Sequence, residues 1–95
     1  MLNHYTLLFS TMEALGKKWV VPVLLILFFY GECSFTMLKK NLKVTSRSLS
    51  RKLHILERLG LVEKKIQRNA IGVEYRLSQI GKTVSQSLVG LSQQF

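Results

Sequence analysis

The chain reads as a mainly α fold carrying one small β-hairpin, and three observations predict it. Apolar residues recur at spacings of three and four up to Leu59; two short runs of strict alternation follow; helical spacing returns from Ser78 onward. At 95 residues this is one domain with room for one core.

The elements follow in order. Tyr5, Leu8, Phe9, Met12 and Leu15 set a first helix over 2–15, ended near Gly16. Trp19 to Tyr30 (WVVPVLLILFFY) is apolar throughout. A membrane-spanning helix needs about twenty such residues; Lys17-Lys18 and Gly31-Glu32 close this run on both sides, and Glu13 ahead of it does not fit a signal peptide. It is expected to be the central, all-round buried helix, with Pro22 accommodated in its first turn. Cys33 falls in the turn that follows. As a single cysteine it builds no disulfide framework, which fits a reducing cytoplasm.

Ser34 is placed to cap a third, short helix to Leu42, with Phe35, Leu38 and Leu42 inward and Lys39 and Lys40 outward. Lys43-Val44-Thr45 turns the chain, and Thr45 caps a fourth helix to Leu59, which Gly60 and apolar Leu61 terminate in a left-handed cap. Val62, Lys64 and Ile66 form one strand face; Val73, Tyr75 and Leu77 form the matching one. Gln67 to Gly72 makes the turn between them. Ser78 opens a last helix striped by Ile80, Val84, Leu88, Leu91 and Phe95. Helix, helix, helix–turn–helix (34–59), hairpin (61–77), helix is the plan of a winged helix–turn–helix.

Charge narrows the function. Fourteen Lys and Arg against five Glu and no Asp give a net +9. Ten of those cations lie between Lys39 and Arg68, opposed by Glu57 and Glu63 alone, so the helix–turn–helix and wing carry nearly all the excess. Such a field favours polyanions, nucleic acid above all. Two distant His, one Cys and scattered Glu form no acid–base pair, triad or metal cluster, so neither an enzyme nor a cofactor is expected. The basic residues sit mid-chain and not along a terminal helix, which argues against membrane attachment.

On a helical wheel Leu49, Leu53 and Leu56 share one side of the fourth helix. Arg47, Arg51, His54 and Arg58 occupy the opposite side, flanked by Ser50. A helix so anchored fits the major groove, where Arg bonds guanine bidentately and Ser or His bonds a base edge or phosphate. Lys43, Thr45 and Ser46 lead into it, and the N–H groups at Ser46 and Arg47 favour a phosphate. Lys64, Lys65, Arg68 and Asn69 equip the hairpin for phosphates or the minor groove, with Arg76 as an auxiliary. The DNA-binding set is therefore Lys43, Thr45, Ser46, Arg47, Ser50, Arg51, His54, Lys65, Arg68 and Asn69. The alternative is a winged-helix protein–protein module without specific DNA binding, which would expect an apolar or mixed-charge outer face on this helix.

With 47% hydrophobic residues, a chain this small has more apolar surface than one core hides. Tyr5, Leu8, Phe9 and Met12 of segment 1–16, with Val84, Leu88, Leu91 and Phe95 of segment 78–95, are assigned to a two-fold homodimer interface. Pairing of these helices within one chain is the competing arrangement. A dimer implies double-stranded DNA with an inverted-repeat site.

Several segments taken in order resemble the HxlR family of winged-helix regulators, similar in plan to MarR-type regulators. They are Leu15-Gly16-Lys17-Lys18-Trp19, Phe35-Thr36-Met37-Leu38, Val44-Thr45, Leu49 to Leu53, Leu56 to Glu63, Val73 to Ser78 and Gly81-Lys82. The resemblance implies a cytoplasmic, homodimeric transcription factor that binds operator DNA through the fourth helix and the wing. Many family members carry a sensing cysteine about a dozen residues ahead of the Gly-Lys-Trp-type motif. Here that stretch reads Asn3 to Leu8 without one, so thiol sensing does not transfer, and Cys33 is read as a small core residue. The wing also lacks the prolines common in relatives.

Overall fold

A computed structural model describes residues 2–17, 19–66 and 72–93. Five helices and three strands alternate as α1 (Leu2–Leu15), α2 (Val20–Tyr30), β1 (Glu32–Ser34), α3 (Phe35–Leu42), α4 (Ser46–Arg58), β2 (Val62–Ile66), β3 (Val73–Leu77) and α5 (Gln79–Ser92). The turn at 67–71, with Arg68 and Asn69, lies outside the described residues.

Local chemistry places the helix ends where polar side chains satisfy open backbone groups. The Ser34, Thr45 and Ser78 hydroxyls accept from the N–H groups of Met37, Ser48 and Gly81 at 3.1, 3.1 and 3.0 Å, capping α3, α4 and α5. Past α4, Gly60 takes φ +74°; its N–H reaches Glu57 O and the Leu61 N–H reaches Leu56 O at 2.9 Å, a Schellman closure. A residue without Cβ makes this left-handed turn without strain.

The core is one cluster in which Leu24 and Leu27 of α2 meet Leu38 of α3, Leu49, Leu53 and Leu56 of α4, and Leu61, Tyr75 and Leu77 of the hairpin. One expectation is corrected here. α2 is the central helix, with Val20, Val23, Leu24 and Leu27 buried and the other residues up to Phe28 half-buried, but its end is open, with Phe29 and Tyr30 exposed. A 95-residue body has too few elements to cover a helix on every side.

A second correction concerns Cys33. It lies not in a turn but in β1, which pairs antiparallel with β3 and puts Cys33 opposite Tyr75. The sheet order is β1-β3-β2. The thiol is 1% exposed, and burial, then the charge of Glu74, raises its pKa above the usual thiol value. Since the thiolate is the reactive form, Cys33 is expected to label with a disulfide reagent orders of magnitude more slowly in the folded chain than in denaturant. Equal rates in the two states would refute a buried thiol.

α5 packs on α2, and Ser85 of α5 is fully buried, with its hydroxyl making no hydrogen bond among the described residues. An unsatisfied buried hydroxyl costs about 1–3 kcal/mol, and Ala is the better helix former. Ser85→Ala is therefore expected to stabilise the fold by about 1 kcal/mol, read as a rise of roughly 4–8 °C in Tm.

Candidate nucleic-acid interface

α4 is held from behind. Leu49, Leu53 and Leu56 are all buried, and the 100° advance per residue then carries Arg47, Arg51, His54 and Arg58 to the outside, where all four are exposed. Arg47, Arg51 and His54 form no ion pair among the described residues. Lys43, at the C-cap of α3 with φ +54°, and Thr45 and Ser46 at the start of α4 are exposed as well, next in the chain to Arg47 at the helix N-terminus. Ser50 lies on the flank of α4 that faces the sheet, one of the residues lining a cavity with Lys64 and Tyr75.

The wing is built on the register Val62↔Leu77, Lys64↔Tyr75, Ile66↔Val73, which pairs the two faces as the alternation in the sequence predicts. Along β2 burial falls from Val62, inside the core, to exposed Ile66, so the hairpin projects from the body. The two wing lysines part company. Strand alternation sends Lys64 to the face shared with Tyr75 and α4, and Lys65 to the reverse face, where its ammonium lies 4.0 Å from Glu32. On that reverse face Arg76 is also engaged, 3.8 Å from Glu32 and 3.6 Å from Glu63, so it serves the sheet and not the approach to α4. Alternation in the sequence already puts Lys64 on the face of Val62 and Tyr75 and Lys65 on the other, and the folded structure sets the first of these faces beside α4.

Of the residues assigned to dimerisation, Phe9, Met12 and Leu91 are 64%, 59% and 60% exposed. Val84 and Leu88 are half-buried against the core of their own chain. The side chains of Tyr5 and Leu8, and Phe95 altogether, lie outside the described residues. Ile80, expected on the same stripe as Val84 and Leu88, is exposed.

A pinned helix with an open row of cations, beside a projecting two-stranded hairpin, defines a winged helix–turn–helix protein. The sequence profile of the HxlR-like helix-turn-helix family matches residues 14–94, and the chain belongs to that family. It is 34% identical over 71 residues to an uncharacterized protein of Methanocaldococcus jannaschii, a match covering 72% of this chain and 59% of that protein. The matched region thus spans about three-fifths of that relative's length. Among solved structures, reduced HlyU from Vibrio cholerae superposes with a TM-score of 0.81 at 26% identity, covering 96% of this chain and 94% of its own. A cysteine-to-serine mutant of Escherichia coli MarR, complexed with operator DNA, superposes with a TM-score of 0.69 at 26% identity, over 75% of this chain and 51% of that one. No described helix is long and apolar enough to cross a membrane.

Proposed function

We propose that the chain is a homodimeric transcriptional regulator that binds double-stranded DNA sequence-specifically. The segment 45–59 enters the major groove and the wing tip, 67–72, lies on the flanking backbone or minor groove. One observation carries the reading: Arg47, Arg51 and His54 stand exposed in a row on a helix whose other side is locked into the core. These side chains reach out on a rigid support, which is what base readout requires. Lys43, Thr45, Ser46 and Ser50 border this row. The likeness to MarR, solved in complex with operator DNA, supports DNA as the partner.

Exposed Phe9, Met12 and Leu91 on the two terminal helices support self-association, since large apolar side chains gathered on such elements mark interfaces. A two-fold pair sets two copies of α4 about one turn of DNA, or a multiple, apart. Selection of bound sequences from a random duplex pool tests the whole reading. An inverted repeat is expected; unselected sequences, together with no gel retardation even at low salt, would favour a protein-binding module instead.

A further inference from the structure

Between α4 and the sheet lies a cavity of about 390 Å³ lined by Ser50, Arg51, His54 and Glu57 of α4 and by Lys64 and Tyr75 of the strands. Arg51 and His54 belong also to the outer row of α4, while Ser50, Glu57, Lys64 and Tyr75 set this cavity apart from it. Arg51 and Lys64 bring two positive charges to the lining, Ser50 and Tyr75 bring two hydroxyls, and Glu57 is the one carboxylate among the lining residues. The sheet register brings Lys64 and Tyr75 there together, and the Tyr75 ring is fixed by burial at 6% exposure. Its phenol has a pKa raised by burial and then by the charge of Glu57, so it stays protonated and able to donate.

We propose that this cavity seats one phosphate of a bound duplex, with Lys64 supplying charge, the Tyr75 and Ser50 hydroxyls donating hydrogen bonds, and Glu57 holding the affinity down. The proposal rests on the DNA-binding reading and deepens it. A phosphate oxygen accepts from hydroxyl and ammonium donors at once, and such charge-assisted bonds are the strong ones. The repulsion from Glu57 acts on the backbone of any sequence. It therefore trims the sequence-independent part of binding and leaves the base contacts of Arg47 and Arg51 a larger share of the total.

The test uses the full chain, a selected operator duplex and a random duplex, titrated by fluorescence anisotropy over a range of salt. Tyr75→Phe keeps the ring and its packing, and is expected to weaken both duplexes about tenfold. Lys64→Ala is expected to weaken both and to flatten the salt slope by about 0.9. Glu57→Gln is expected to tighten both several-fold and by the same factor. Lys82→Ala, which removes the same charge from α5, should leave the slope unchanged. Wild-type binding with loss in Arg51→Ala but none in Tyr75→Phe and Lys64→Ala overturns the phosphate seat alone, as does weaker binding by Glu57→Gln. Failure of the wild-type chain to bind any duplex overturns the parent reading as well.

Discussion

Replacing Arg47 and Arg51 together by Ala is expected to remove most of the discrimination between a selected operator and a scrambled duplex, with folding unchanged. Both side chains are exposed and make no ion pair among the described residues, so their loss costs the fold little, within about 0.5 kcal/mol. On DNA the position is reversed. A bidentate arginine–guanine contact is worth about 1–3 kcal/mol of discrimination, and two acting separately would give roughly 2–6 kcal/mol, about 30-fold to more than 10⁴-fold. The arginines are one helical turn apart and, in the proposed docking, would read neighbouring base pairs. Such neighbours couple, and the double variant is expected nearer the lower figure. Competition anisotropy with the two duplexes measures the effect, and thermal unfolding checks the fold. Equal losses on both duplexes would turn the two arginines into phosphate contacts and move base readout elsewhere.

The contrast between these arginines and the wing lysines shows what the sequence makes legible. A helix face is local information: Leu49, Leu53 and Leu56 fix a direction, and everything on α4 follows from about 3.6 residues per turn. The caps Ser34, Thr45 and Ser78 and the closure at Gly60 are equally local, and all occur where the sequence places them. β1 was not legible. Glu32, Cys33 and Ser34 show no alternation long enough to detect, and they become a strand only because Tyr75 and its neighbours lie alongside. The same non-local pairing decides that Lys64 turns toward α4 while Lys65 meets Glu32. The phosphate seat therefore could not be read from spacing: part of its lining comes from a helix and part from strands that only the folded register brings near. The exposed end of α2, at Phe29 and Tyr30, is not legible for a related reason. Hydrophobicity says that a segment wants cover, and the number of neighbours available sets how much it gets.

Gly81 marks the tightest of these non-local constraints, and Gly81→Ala is expected to destabilise the chain by about 3 kcal/mol, at the upper end for overpacking. The start of α5 is fastened to the end of α4: the Ser78 N–H donates to Leu61 O at 2.9 Å, the Ser78 hydroxyl donates to Gly60 O, and the Gly81 N–H donates back to that hydroxyl. This brings α5 down onto the backbone at Leu61. A Cβ on Gly81 would overlap the Leu61 carbonyl oxygen, sit 3.0 Å from its carbon and come within 3.3 Å of the Leu77 side chain. A backbone atom cannot swing aside as a side-chain tip can, so the first turn of α5 must lift. Lifting it stretches the Ser78 cap, itself worth about 1 kcal/mol. Helix propensity alone predicts the opposite sign, since Ala is favoured over Gly by about 1 kcal/mol in a helix, so a thermal melt separates the two accounts cleanly. A fall of roughly 12–24 °C in Tm is expected from the clash at about 4–8 °C per kcal/mol, against a rise of several degrees from propensity. Because α5 leaves the wing at Ser78 and carries exposed Leu91 near its other end, the same lift would tilt the helix assigned to self-association. If the chain self-associates as proposed, the variant is accordingly expected to do so more weakly at temperatures well below its own melt.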